Sequence, residues 1–461
     1  MARSLKSEAE FFLHQGLQLS QAGAYEEATI SFDRALQLYP SWHETCYFKG
    51  IALYELQRYT DAADCFQQAL DLKPNYPEAL NSYGMTLFSL GSYEAAIASY
   101  DKAIQLSPDF HQAWYNRGNA LDKSNSYEAA LNSFDQALKL EPEYSRSWYN
   151  RAIMLYKQGK YEAAIASYDK AIEFRPHYSN AWYNRANILN RLKRYAEALQ
   201  SYDRVLTIKS DWYAAYYNHG NVLHKLKRHE EAVTSYDSAL EIKPNFYEAW
   251  YNRGNALDAL GRYDDAIASY HKAVTLKPDL REGWYNWGST LHKAGRYEAA
   301  IDSYDKAIAL DAKFARVWHS RGVAFRKLGR YAEAITSYDK AVQHNPNLYE
   351  SWYGRGVTLG HLGRNEAAVS SYDRALAINP AFYPAWYSRG VALSHIGDYQ
   401  TAITSYDRAL EIRPNFPPAL RRRNLALDPN SPSILAPDLD SDDDFNEPVL
   451  AEDMIEESLN S

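Results

Sequence analysis

The sequence predicts an all-α solenoid of about twelve 34-residue helix-turn-helix units, closed by a partial capping helix. Three observations carry this expectation. The decapeptide AWYNRGNALD occurs at residues 113–122 and again at 249–258, four periods of 34 apart. Tryptophan stands at 114, 148, 182, 250, 284, 318, 352 and 386, always separated by multiples of 34. Tyr216 fills the one gap, and Leu80, Cys46 and Phe12 continue the series backwards. Within each period the apolar and small positions follow helical spacing. A fixed period of this length marks stacked repeats and takes precedence over any residue-level reading.

Placing the tryptophan at position 4 starts the units at 9, 43, 77, 111, 145, 179, 213, 247, 281, 315, 349 and 383. Residues 1–8 then read as an N-terminal extension, 9–416 as the units, 417–427 as a capping helix and 428–461 as an acidic tail. The first helix of a unit, helix A, turns positions 4, 8 and 11 inward. Position 8 is always Gly or Ala, as in Gly118, Ala152 and Gly254. Position 15 is usually Gly (Gly159, Gly261, Gly295) or Asn125, residues that accept the left-handed conformation ending a helix. Helix B follows, with Ala at position 20 in every unit and Tyr or Phe at 24. Position 27 is Ala except Val205, and position 32 is Pro except Ser210 and Ala312. Proline there cannot continue the helix. The small residues let the two helices approach, and the aromatic at 24 is expected to fill the gap toward the next unit. Neither helix buries its stripe alone, so the units must stack.

The pattern W-x-x-x-G, then Ala at 20, an aromatic at 24, Ala at 27 and Pro at 32, is similar to the tetratricopeptide repeat (TPR) family. The resemblance covers about 408 of 461 residues. It implies a right-handed superhelix with helix A lining an inner groove. It also implies a non-catalytic, cofactor-free scaffold or adaptor for other proteins, since such folds host many functions. Two other readings stay open: a substrate-presenting arm for a separate, glycosyltransferase-like catalytic subunit, and a self-assembling architectural solenoid.

Composition agrees with a repeat and narrows the class. The 40 tyrosines and 11 tryptophans follow from a Trp-Tyr phrase carried by most units. Two cysteines, Cys46 and Cys65, are too few for a disulfide framework or a cysteine metal site, and both occupy apolar repeat positions. No apolar run resembles a signal peptide or a membrane span, so a soluble, cytoplasmic protein without membrane insertion is expected. Residues 428–461 hold eleven Asp and Glu and no Lys or Arg, which leaves 50 − 47 = +3 for residues 1–427. A near-neutral body does not suggest nucleic acid as a partner.

Two positions depart from the family pattern. Position 7 is mostly Arg and position 25 mostly Asp. Pairing each position 25 with position 7 of the following unit gives Asp101 with Arg117, Asp135 with Arg151, Asp169 with Arg185 and Asp237 with Arg253. It also gives Asp305 with Arg321, Asp339 with Arg355, Asp373 with Arg389 and Asp407 with Arg423. Asp33 meets Lys49, and Asp203 meets His219. The units that lack the Asp carry Gln67 and His271, and the residues that follow are Tyr83 and Trp287, neither basic. Joint loss points to contact across the boundary, so a ladder of inter-repeat ion pairs is expected.

The remaining face of helix A supplies the candidate binding surface. Position 5 is largely Tyr: Tyr115, Tyr149, Tyr183, Tyr217, Tyr251, Tyr285, Tyr353 and Tyr387. Position 6 is Asn in six successive units, Asn116, Asn150, Asn184, Asn218, Asn252 and Asn286, and then Ser320, Gly354 and Ser388. Position 9 adds Asn119, Asn187, Asn221 and Asn255, then Val323, Val357 and Val391. Position 13 is often basic, as in Lys123, Lys157, Arg191, Lys225, Lys293 and Lys327. Side-chain amides donate and accept hydrogen bonds, so an Asn row can hold the backbone of an extended peptide. Tyrosines add rigid apolar contact and the basic residues would favour acidic segments. The six asparagines resemble the row in the repeat arm of O-linked N-acetylglucosamine transferases, whose catalytic domain has no counterpart here.

His219, His224 and His229, spaced by five, do not form a ligand set on one helix face. The capping stretch PPALRRRNLAL puts Leu420 at the Trp position and is expected to turn Arg421–Arg423 outward. The tail carries Phe445, Val449, Leu450, Met454, Ile455 and Leu459 among its acids, a composition suited to disorder or to folding on a partner. An intramolecular visit to the protein's own groove is one expectation for it.

Overall fold

The structure is a computed structural model that describes residues 2–427. The tail at 428–461, with its expected disorder and partner contact, lies outside the described residues. The described residues form 25 α-helices and no strand. In a typical repeat, helix A has 13 residues, as in His111–Lys123, and helix B has 14, as in Tyr127–Leu140. Consecutive helices from Ala2–Gln21 to Tyr195–Ile208, and again from His229–Ile242 to Pro417–Leu427, pack on one another, and most successive A helices within each stretch also touch. The architecture is therefore an all-α solenoid of tandem helix pairs. The chain divides into two compact units, residues 1–222 and 223–461, with the division inside helix A of the seventh repeat. Residues 2–8, set apart on sequence as an extension, are not separate: Ala2–Gln21 is one helix that runs into the first repeat.

Side-chain size explains the close packing of A on B. Every Ala at position 20, from Ala28 to Ala402, is fully buried. A Cβ placed on Gly118 would sit 2.6 Å from Phe134 Cε1, so the bare backbone of helix A rests on the ring of helix B. The aromatic at position 24 thus packs against position 8 of its own repeat as well as toward the next: a Cβ on Gly322 or on Gly354 of the following repeat would each sit 2.8 Å from the Tyr338 ring. The tryptophans at position 4 are placed differently from expectation. They are half-buried at the boundary between repeats, not sealed inside the core.

The turn between helices A and B has one left-handed residue. Gly159 and Gly261 take φ of 75° and 73° there. Gln57, Asn125, Lys193 and Lys227 adopt φ near 60° at the same position without the freedom of glycine. Pro417–Leu427 forms the last described helix. Its arginines do not all face outward: Arg422 is buried, and Leu420 is exposed. Among the described residues no helix is long and apolar enough to cross a membrane.

Candidate functional site

The residues paired on sequence across the repeat boundaries lie together. Arg117 Nε donates to Asp101 Oδ1 at 2.6 Å, and Arg151, Arg185 and Arg253 do the same to Asp135, Asp169 and Asp237 at 2.6 Å. Arg321 and Arg355 reach Asp305 and Asp339 at 2.7 Å, and Arg389 reaches Asp373 at 2.6 Å. Arg423 bonds Asp407 from the capping helix. Lys49 Nζ is 2.7 Å from Asp33, and His219 Nε2 is 3.2 Å from Asp203. Where the acid is missing, His271 and Trp287 meet edge to face across the junction with ring centroids 5.3 Å apart, whereas Gln67 bonds Asp71 on its own helix.

The ladder arginines from Arg117 to Arg389 have a second partner that the sequence reading missed. Arg117 Nη1 donates to Ser133 Oγ at 2.8 Å, and Ser133 in turn donates to the carbonyl of Ala129. Arg151 with Ser167 and Arg253 with Ser269 repeat the arrangement. The serine of the recurring SYD phrase is thus the buried end of the clamp, and its presence at position 23 of every unit but the second, where Cys65 stands and Lys49 replaces the arginine, was the available signal. The arginine stem also lies near the tryptophan one turn earlier, with Arg151 Cζ 5.6 Å from the Trp148 ring centroid.

Two further links join the repeats. Trp114 Nε1 donates to the carbonyl of Pro108 at 3.1 Å, and Trp250 to that of Pro244 at 2.9 Å. Trp318 uses the carbonyl of Ala312, so the proline ring is not what the indole needs. On the outer helix, Arg194 at position 16 holds Glu197 and reaches back to Glu162 of the preceding repeat at 2.9 Å. Arg262 links Asp265 and Glu230 in the same way.

The asparagine row lies on adjoining A helices, half-buried, and is knitted to the tyrosines. Asn150 Nδ2 donates to Asn119 Oδ1 at 2.7 Å and to Tyr115 Oη at 3.3 Å. Asn184 donates to Tyr149 at 3.1 Å. Asn218 reaches Tyr183 at 2.9 Å and Asn187 at 3.2 Å. Within the second unit, Asn286 bonds Tyr251 at 2.9 Å and Asn255 at 3.0 Å, and Asn255 reaches Asn252 at 3.4 Å. Asn116 bonds Asn81 at 3.0 Å. Asn221 and Tyr285 are half-buried on the same face. Burial raises the Tyr149 and Tyr183 hydroxyls above their ordinary pKa, against the asparagine hydrogen bonds that lower it, so both phenols stay neutral at pH 7 while accepting from Asn184 and Asn218.

A hollow of about 310 Å³ opens on this face in the first unit. Asn119, Asp122, Lys123 and Asn150 give it polar walls, and Phe88, Phe134, Ile153 and Met154 an apolar lining. A larger one of about 1130 Å³ lies on the ladder side, beside Trp148 and Arg151. The basic residues of position 13 are less available than expected. Lys157 pairs with Asp122, Lys293 with Asp258 at 2.9 Å, and Arg191 lies 5.1 Å from the Tyr161 ring centroid.

Two other sequence candidates resolve simply. Cys46 and Cys65 are free, buried thiols. His224 and His229 end one helix and begin the next, and the turn brings their Nδ1 atoms to 3.1 Å. Helix-face spacing alone could not anticipate that contact. Burial and the neighbouring His229 hold the His224 pKa below its usual range.

A family model described as tetratricopeptide repeat matches residues 48–109 and 115–179. Others of the same description match 179–211, 247–280, 315–348, 349–382 and 383–416. A TPR repeat model matches 220–261 and 288–329. The chain belongs to the tetratricopeptide repeat family. No curated protein matches it significantly. Among solved structures it is similar to YrrB, a TPR protein with an unusual peptide-binding site, at 23% identity and TM-score 0.37. That match covers 41% of this chain and 97% of YrrB. It is similar to the APC/C hetero-tetramer Cut9–Hcn1 at 14% identity and TM-score 0.41, over 91% of this chain and 96% of that one. The C-terminal part of a TPR repeat-containing protein from Cytophaga hutchinsonii matches at 17% identity and TM-score 0.47, over 52% and 98% of the two chains.

Proposed function

We propose that the protein is a scaffold that binds an extended segment of a partner protein along the helix-A face of its asparagine-bearing repeats. The observation that carries this reading is the fixed disposition of Asn150 in the hollow. Its N–H groups are committed to Asn119 and Tyr115, and among the described residues its carbonyl oxygen accepts nothing. That oxygen is therefore a pre-oriented acceptor for a peptide N–H, beside apolar walls that suit one side chain. Repetition of the amide with each repeat suits a backbone more than a particular sequence. With Lys157 and Lys293 neutralised by aspartates, the segment need not be strongly acidic.

The test is a full-length chain with Asn116, Asn150, Asn184 and Asn218 changed to Ser, the residue found naturally at 320 and 388. Peptides selected from a random display library on the parent chain should lose at least about tenfold in affinity, equal to about 1.4 kcal/mol. Unchanged affinity in a variant that keeps its helical content would remove the asparagine face as the site.

A further inference from the structure

We propose that His224 and His229 form a bidentate site for a divalent transition-metal ion, copper(II), nickel(II) or zinc(II), bound through their two Nδ1 atoms. The site uses none of the asparagines, so it stands or falls separately from the peptide-binding reading.

The geometry comes from the turn between two helices. His224 lies in the last turn of Tyr213–Lys225, His229 opens His229–Ile242, and the left-handed Lys227 reverses the chain between them. Their ring centroids are 4.8 Å apart and their Nδ1 atoms 3.1 Å apart. At a metal–nitrogen distance of ~2.0–2.1 Å, two adjacent nitrogens on a square-planar ion stand about 2.9 Å apart, and two on a tetrahedral ion about 3.3 Å. The observed spacing falls between these values. In the mutual hydrogen bond one ring carries its proton on Nδ1. On metal binding that proton moves through solvent to Nε2 of the same ring, which frees both Nδ1 lone pairs, and each nitrogen displaces one water from the hydrated ion.

Aromatic contact alone does not account for these residue types. The same corner holds ring pairs in other repeats, such as His292 with Tyr297 at 5.1 Å and Tyr156 with Tyr161 at 5.7 Å. Position 17 is Tyr in ten of the twelve repeats and His only at 229, where position 12 is also His. A tyrosine already serves the contact, so the second imidazole brings a donor nitrogen and not better packing.

The pair is also left open. In the second unit, position 13 of a repeat reaches over this corner of the repeat before it. Lys293 Nζ is 2.9 Å from Asp258, and the His361 ring stacks on Tyr331 with centroids 5.4 Å apart. The residue in that place for His224 and His229 is Ala259, short and exposed. The neighbouring carboxylates are engaged, Glu231 by Arg228 at 2.6 Å and Glu230 by Arg262 at 3.3 Å. Among the described residues no third His, Cys, Asp or Glu joins the pair. Two imidazoles with Lys225 and Lys227 in the same turn disfavour calcium and magnesium, which seek oxygen ligands. The other positions on the ion fall to water or to a partner's side chain.

The experiment titrates the untagged full-length chain with copper sulfate, nickel chloride and zinc chloride by calorimetry in a non-coordinating buffer. His229→Tyr restores the residue of ten other repeats, and His224→Asn uses the residue found at 190, so both variants carry side chains the fold accepts. The parent should bind one ion more tightly than any further ones, with copper the tightest of the three. Each histidine variant should lose at least about tenfold in affinity for that ion, and Ala259→Lys, which restores a cover, should weaken it too. The copper EPR spectrum should show coupling to two imidazole nitrogens in the parent and to fewer in either histidine variant. No saturable uptake by the parent, or identical titrations in the parent and both histidine variants, would overturn the proposal. So would equal uptake of calcium chloride, because the site would then be reading charge and not nitrogen donors.

Discussion

Arg117 Nε donates to Asp101 Oδ1 at 2.6 Å across the boundary between two repeats, and the two residues do not carry equal weight. The arginine side chain is 24% exposed and also holds Ser133, whereas the aspartate is 42% exposed. Arg117→Met keeps the stem beside Trp114 and removes both bonds. It should cost about 1.5–3 kcal/mol, the range for hydrogen bonds to charged groups. Asp101→Asn should cost under about 1 kcal/mol, because water screens the exposed partner. Urea unfolding of the two variants separates the cases, and equal losses would show that the serine link contributes nothing.

The seat of Phe134 under Gly118 predicts a steep dependence on side-chain size. An added Cβ meets the ring at 2.6 Å, yet Ala152 and Ala186 occupy the same position in other repeats. Gly118→Ala should therefore be nearly neutral, the ring giving way slightly while the helix gains up to about 1 kcal/mol of propensity. Gly118→Val should lose about 1–3 kcal/mol through overpacking. Thermal melts of both variants check the contrast.

Lys193 and Lys227 take φ of 60° and 59° where most repeats use glycine. A left-handed conformation costs an ordinary residue about 1–2 kcal/mol. Replacing either with Gly should raise stability by about 0.5–1 kcal/mol once the unfolded-state entropy of glycine is offset. Loss of stability on substitution would mean that the lysine side chains contribute contacts outweighing this strain.

Burial pushes the Cys65 thiol from its ordinary 9.0 up to about 11. Above pH 9 the unfolded chain releases this proton while the folded chain retains it. Stability should therefore fall as pH rises from about 9 to 11 and level off beyond, by no more than about 2–3 kcal/mol. Cys65→Ala should flatten that part of the pH profile. At pH 8 the thiol should react with an alkylating reagent only as fast as the second repeat opens.

Much of the fold was legible because the period is long, repeated and rich in exceptions. The joint absence of acid and base at Gln67–Tyr83 and His271–Trp287 made the Asp–Arg register readable. Less legible were contacts whose partner has no letter. The indole of Trp114 bonds a carbonyl, which any residue at position 32 would supply. Ser133 was hard to pair because serine also stands at position 23 where position 7 is not arginine, as in Ser99 with Tyr83 and Ser303 with Trp287, so its presence does not track the arginine. The second arginine link, Arg194 to Glu162, spans 32 residues and was masked by the nearer acid Glu197. For the candidate face, the residue types were legible but their existing bonds were not. Asn150 is already tied to Tyr115 and Asn119, a geometry that depends on how two A helices align.

The indole-to-carbonyl bond has a consequence for how such a chain can change length. Because Trp318 donates to the carbonyl of Ala312 as Trp284 does to that of Pro278, this link is addressed to the main chain and not to a particular side chain. A module copied from one place can therefore be inserted at another and find its contacts waiting. The identical decapeptide at 113–122 and 249–258 is the kind of trace such copying leaves. The array behaves as a ruler graduated in whole repeats, whose span can be reset by duplication or loss of a period while every joint keeps the same grammar.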